Sequence, residues 1–210
     1  MPMRTPLFAP LLAAGLLAGT AMLGACGGGS PGSPPTQAAP GTSGAAGSSS
    51  TPETNPAGDI PDNQVYVPFS PPDGLFSVKV PEGWARSQSG PATIFTDKLN
   101  SIRIETRPAS AAPTVATATA TELPEIKAAA HGFVPGKVTA VTRKAGPVVR
   151  ITYRADSAPD AVTGKTVADA VERYDFWHSG RLVALTLSGP TGADNVDPWK
   201  LVSDSLQWHR

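Results

Sequence analysis

Thirty-two consecutive residues, 27–58, contain no Val, Ile, Leu, Met, Phe, Tyr or Trp. They comprise 8 Gly, 6 Pro, 6 Ser, 5 Ala and 4 Thr. A segment with nothing apolar to bury cannot offset the conformational entropy lost when its backbone is ordered. The chain is thereby divided before any fold is considered. Residues 1–25 form an N-terminal piece, and 26–59 a disordered Gly/Pro/Ser linker. Residues 60–210, about 150 in number, are enough for one real core. As a Gly/Ser-rich coil the linker has a root-mean-square span of roughly 30 Å, and fully stretched it reaches on the order of 110 Å.

The N-terminal piece reads as an export signal. Arg4 supplies a positive start, and an apolar stretch follows from Leu7 to Leu23, interrupted by Pro10, Gly15 and Gly19. It falls short of the about 20 apolar residues of a membrane-spanning helix and ends in small residues, as a signal peptide does. Its end, Leu23-Gly24-Ala25-Cys26, resembles the bacterial lipobox. That resemblance implies cleavage between Ala25 and Cys26 and a diacylglyceryl group on the Cys26 thiol. The mature chain is then a lipoprotein anchored on the extracytoplasmic face of the bacterial cell membrane. A buried thiol would need a core around it, and Gly27-Gly28-Gly29 offers none. Two acyl chains give stable anchoring at about 0.8 kcal/mol per buried methylene. The Ser and Thr residues of the linker could also accept O-linked sugars.

Composition excludes several classes. Lys plus Arg and Asp plus Glu number 17 each, which argues against a nucleic-acid partner. A single cysteine excludes an intramolecular disulfide and any multi-cysteine metal centre. Gly27-x-Gly29-x-x-Gly32 spells a dinucleotide fingerprint, but no strand precedes it and no helix follows. Gly164-Lys165-Thr166 imitates the end of a P-loop, yet Pro159 stands where its first glycine belongs. No cofactor and no metal is expected. His131, His178 and His209 read as structural or solvated, with His209 frayed at the terminus. Asp194, Asn195 and Asp197 could bind calcium, but Asp197 is better read as a helix cap.

Beyond Ile60 the pattern is that of strands. Phe76, Val78 and Val80 alternate with Ser77 and Lys79; Ile102 and Ile104 with Arg103 and Glu105; Val149, Ile151 and Tyr153 with Arg150 and Thr152. Such alternation marks half-buried, antiparallel strands. Thr93–Leu99, Gly136–Arg143, Val167–Trp177 and Leu182–Leu187 supply further candidates. Lys144-Ala145-Gly146-Pro147 and His178-Ser179-Gly180-Arg181 are hairpin turns. One helix falls within Pro113–Ala130. A second starts with Asp197 as N-cap and Pro198 at its first position, with Trp199, Val202 and Leu206 on one face. The class is α+β, a central antiparallel sheet with packed helices.

Val80-Pro81-Glu82-Gly83-Trp84, the Gly180-Arg181 hairpin and a closing helix ending Ser205-Leu206-Gln207-Trp208 resemble the PsbP-like fold, and more closely the LpqN-type lipoproteins of actinobacteria. The resemblance covers residues 60–210 and implies a sheet with helices against it. It brings no function with it, and the metal contacts of plant PsbP match no motif here.

No catalytic constellation is legible. The polar positions of the alternating strands carry Lys79, Arg103, Arg107, Lys137, Arg143, Arg150 and Arg154, against Glu105 alone. On one sheet face they would form a basic surface for anionic lipid headgroups, a wall polymer or an acidic protein partner; balanced by flanking acids they are merely a solvated face. Tyr174, Phe176, Trp177 and Trp84 either line a groove or fill the core. The expected role is a non-catalytic binding or scaffolding domain. The alternatives are an envelope hydrolase acting on wall or lipid material, or an accessory subunit of an envelope transport system.

Overall fold

The computed structural model describes residues 57–160 and 162–209. The expected signal peptide, Ala25, Cys26 and nearly all of the expected linker lie outside them. The last linker residues do not: Gly58 accepts hydrogen bonds from the side-chain amides of Asn100 and Asn195. Ile60, two residues on, is buried in the core.

The strands are β1 (Tyr66–Phe69), β2 (Phe76–Pro81), β3 (Ala85–Ser89), β4 (Ala92–Asp97), β5 (Asn100–Pro108), β6 (Val134–Arg143), β7 (Gly146–Asp156), β8 (Ala168–His178), β9 (Arg181–Pro190) and β10 (Gln207–Trp208). Seven make an antiparallel sheet in the order β3-β4-β5-β9-β8-β7-β6, and β1-β2-β10 make a smaller second sheet. Both hairpin turns fall where the sequence puts them, between β6 and β7 and between β8 and β9. The α+β class stands. Sequence alternation did not reveal β1, the wholly exposed β3 or the two-residue β10.

The helical segment on the first half of the chain is α1 (Val115–Thr117), a π turn over Ala118–Glu122, and α2 (Leu123–Ala129). Thr114 and Thr117 cap its start reciprocally, each side chain accepting from the other's backbone N–H. Pro124 explains the π turn. A proline inside a helix has no N–H to donate and clashes with the carbonyl four residues back. Widening the preceding turn so that Leu123 donates to Ala118 relieves that conflict.

The last helix, α3, spans Val196–Asp204 and differs from the sequence reading at both ends. Asn195, not Asp197, stands at the N-cap, and its side chain is turned away to Ile60, Gly58 and Asn100. Helical structure stops at Asp204, so Gln207 and Trp208 pair with β2 instead of closing the helix. His209 is not frayed: its ring nitrogens reach the Gly74 carbonyl at 3.0 Å and the Ser77 hydroxyl at 3.1 Å.

Residues directly opposite each other in an antiparallel pair share a face, so the register sorts the large sheet into two sides. Ile102, Ile104, Leu185, Leu187, Tyr174, Phe176 and Val148 face the small sheet and α3, and with Phe76, Val78 and Val202 they form the main core. Val149 and Ile151 face the other way, against Ala118 and Ile126 of the helical segment. We call these the core face and the helix face. Both bury apolar side chains.

Candidate functional site

The two faces divide the basic residues of the sequence. Arg103 pairs with Thr186, Thr186 with Arg173, and Arg173 with Ile151. Arg103 and, two residues on, Arg107 therefore lie on the helix face. Arg150 and Arg154 alternate with Ile151 and lie on the core face, and Arg143 reaches Tyr174 of that same face. Lys79 is exposed on β2 in the other sheet, and Lys137 is exposed in a bulge of β6 between Pro135 and Val138. One basic face of seven residues does not form. The expectation assumed that polar positions of all strands point the same way, and a sheet buried on both sides breaks that assumption.

On the helix face the arginines are matched. Arg103 pairs with Glu105 at 2.7 Å. Glu122, carried inward at the π turn, accepts from Arg107 and from Arg173, the latter at 2.7 Å. Arg173 also donates to Asp175 at 2.9 Å. Asp175 is wholly buried, and that burial pushes its carboxyl upward while the Arg173 guanidinium pulls it back.

On the core face three arginines surround a groove that the second layer leaves open beside α3. Its two lobes, about 370 Å³ and about 260 Å³, share Ala170, Glu172 and Trp199 as lining. Arg143 is fixed in place: Nε donates to Ser203 at 2.9 Å, Nη2 to the Tyr174 hydroxyl at 2.8 Å, and the guanidinium lies 4.7 Å over the Tyr174 ring. The Tyr174 hydroxyl in turn donates to Glu172, whose other oxygen lies 3.6 Å from Arg150. Burial, and the bond to Glu172, raise the Tyr174 phenol above its ordinary range. Arg150 Nε is shut from solvent with no hydrogen-bond partner among the described residues. Arg154 is exposed and has no ion pair among them. Glu172 is thus the one carboxylate in the groove lining, while Asp204, outside the lining, lies 3.8 Å from Arg143 Nε.

The backbone makes room for the second lobe. Gly136 packs against Thr152 so closely that an added Cβ would lie 2.4 Å from the Thr152 carbonyl oxygen. Thr152 Oγ1 accepts from the Lys137 amide at 2.9 Å and closes the bulge. Such bulges re-aim side chains at sheet edges and near sites. Chemically, the groove offers a rigid Arg143–Tyr174–Glu172 relay, two less constrained guanidiniums and the indole of Trp199. That combination suits an anionic group attached to something apolar.

Of the residues singled out in the sequence, Arg143, Arg150 and Arg154 meet here, with Tyr174 and Trp199 beside them. Phe176 lies in the core, as core packing required, and Trp177 donates to the Ala109 carbonyl on the other face. Glu172 and Lys200, which also lines the larger lobe, were not legible as site residues, since their positions depend on register and on the placement of α3. Among the described residues no His, Cys, Asp and Glu cluster could hold a metal ion, and no helix is long and apolar enough to cross a membrane.

No family model and no curated protein sequence matches the chain. Solved structures do. A structure from Bacteroides thetaiotaomicron VPI-5482 matches 68% of this chain at 14% identity and a TM-score of 0.46; the chain spans about half of it, 48%. LpqN of Mycobacterium tuberculosis, described as involved in cell envelope biogenesis, matches at 14% identity and a TM-score of 0.43, over 71% of this chain and 93% of that one. The solution structure of cyanobacterial PsbP (CyanoP) from Synechocystis sp. PCC 6803 matches at 13% identity over 72% of this chain and 98% of that one, with a TM-score of 0.51. The folded part of this chain has a PsbP-like fold.

Proposed function

We propose that the protein is an LpqN-type lipoprotein of the bacterial envelope, held on the extracytoplasmic face of the cell membrane through Cys26, with a folded domain that is a non-catalytic binding module. The occupant we assign to the core-face groove is the phosphate-bearing headgroup of an anionic lipid. Anchoring rests on Leu23-Gly24-Ala25-Cys26 at the end of an export-type signal. The observation that carries the binding role is the convergence of Arg143, Arg150 and Arg154 on one open groove beside Trp199. A phosphate there meets charge-assisted donors, and an adjoining acyl chain meets the indole and the small apolar residues of β8 and α3.

Replacing Cys26 by Ser tests the anchor. Loss of the protein from the membrane fraction and loss of labelled fatty-acid incorporation are expected. A Cys26→Ser chain that stays membrane-bound would refute anchoring through this thiol.

A further inference from the structure

A second groove, independent of the first, lies on the helix face beyond the helical segment. It encloses about 650 Å³ between the β4–β5 turn and the β7–β8 loop. Its lining includes Ser101 and Ser188, whose hydroxyls are hydrogen-bonded at 2.8 Å, and Asp169. Asp169 is only 5% exposed. Its Oδ1 has no hydrogen-bond partner, and no cation lies within ion-pair distance of it among the described residues. A buried carboxylate in that condition is costly unless something supplies a donor or a counter-charge.

The same groove is bordered by two exposed ammonium groups, Lys98 and Lys165, neither paired with an acid among the described residues. Lys98 holds its place at φ 49°, a left-handed conformation that glycine adopts with less strain. The remaining acid, Asp160, is occupied: Oδ1 accepts from the Val162 and Thr163 amides and the Thr163 hydroxyl. Those bonds hold its carboxyl below the usual range, so it stays ionised. The groove lining thus combines a buried acid that keeps one oxygen without a partner and two bases without an ion pair, groups of both signs in one site.

We propose that this groove binds a small zwitterion, an amino acid or short peptide whose ammonium meets Asp169 and whose carboxylate meets Lys98 and Lys165. A purely anionic ligand would leave Asp169 unmatched, and a purely cationic one would be repelled by the lysines. Burial pushes the Asp169 carboxyl up to about 6, with the Ser188 hydroxyl pulling the other way. The ammonium end therefore binds best above that pH, and affinity falls as Asp169 is protonated.

The test is titration of the full chain with glycylglycine, ethylamine and acetate, followed by amide chemical shifts at pH 7.5 and pH 5. Saturable shifts with glycylglycine around Ser101, Asp169 and Ser188 are expected at pH 7.5, about tenfold weaker for either half-ligand. Asp169→Asn should weaken glycylglycine binding about tenfold without loss of fold. Lys98→Gly with Lys165→Ala should weaken glycylglycine but leave ethylamine unchanged or tighter. Absence of saturation, equal binding of acetate, or retention of glycylglycine affinity in Asp169→Asn would overturn the proposal.

Discussion

Arg173 donates from Nη2 to Oε2 of Glu122 at 2.7 Å, tying the middle of the large sheet to the π turn above it. The other Glu122 oxygen takes Arg107, so one carboxylate joins β5, β8 and the helical segment. Both Glu122 and Arg173 are mostly shielded, with side-chain exposures of 11% and 17%. Removing one partner of such a pair leaves an uncompensated charge, which typically costs about 3–5 kcal/mol. Because Arg173 keeps Asp175, Glu122→Gln should destabilise the domain by about 2–4 kcal/mol. Urea unfolding of the variant measures this. A midpoint unchanged from the parent would show that the pairing contributes nothing net.

Asp169 gives stability a pH dependence of unusual sign for an acid. Its folded carboxyl sits at about 6, above the ordinary 3.8. Between those values the folded chain binds more protons than the unfolded one, so stability falls as pH rises. The loss is complete above pH 6 and amounts to at most about 3 kcal/mol. Asp169→Asn removes the ionisation. It should stabilise the chain by roughly 1–3 kcal/mol at pH 7.5 and change little at pH 4, where the parent acid is protonated. Paired denaturation curves at the two pH values decide it. A variant less stable at pH 7.5 than at pH 4, relative to the parent, would contradict the assignment.

Gly136→Ala places a Cβ where the Thr152 carbonyl and hydroxyl already are, at 2.4 and 2.5 Å. Backbone cannot give way as a flexible side chain can, so the bulge of β6 must shift. The expected cost is about 1–3 kcal/mol, together with reduced ligand affinity in the lobe lined by Arg154. Thermal melting and binding of the same variant report both effects. Unaltered melting would mean that the bulge yields freely.

How far the sequence reaches is clearest at the arginines. The strand pattern is legible, and it located β2, β4, β5, β6, β7, β8 and β9 together with the β6–β7 and β8–β9 turns. Which way one strand's odd positions point relative to its neighbour's is a matter of register, and register is set by pairing across the sheet. Ile104 and Ile151 are both apolar and both buried, yet they face opposite layers. Arg103 and Arg150, each beside one of them, are consequently on opposite faces. Elements with no buried alternation or with a distant partner left little local trace: β3 is an edge strand exposed along its whole length, and the two residues of β10 pair with distant β2. Asn195 was displaced from capping duty by Gly58, Asn100 and Ile60, residues distant in sequence. Asp169 and Glu122 were illegible for the same reason, since an acid inside a strand or helix pattern reads as surface until its neighbours are known.

On the proposed reading the core-face groove takes an anionic headgroup. The direct measurement is co-sedimentation of the unlipidated Cys26→Ser chain with vesicles of phosphatidylglycerol or of phosphatidylcholine, at low and at high salt. Binding to phosphatidylglycerol at low salt, screened away at about 1 M salt, is the expected result. Arg150→Glu with Arg154→Glu should lower it about tenfold, whereas Lys79→Glu with Lys127→Glu, at exposed positions on β2 and α2 that line neither lobe, should lower it only slightly. Equal loss with either pair, or no preference for phosphatidylglycerol, would refute headgroup binding in this groove.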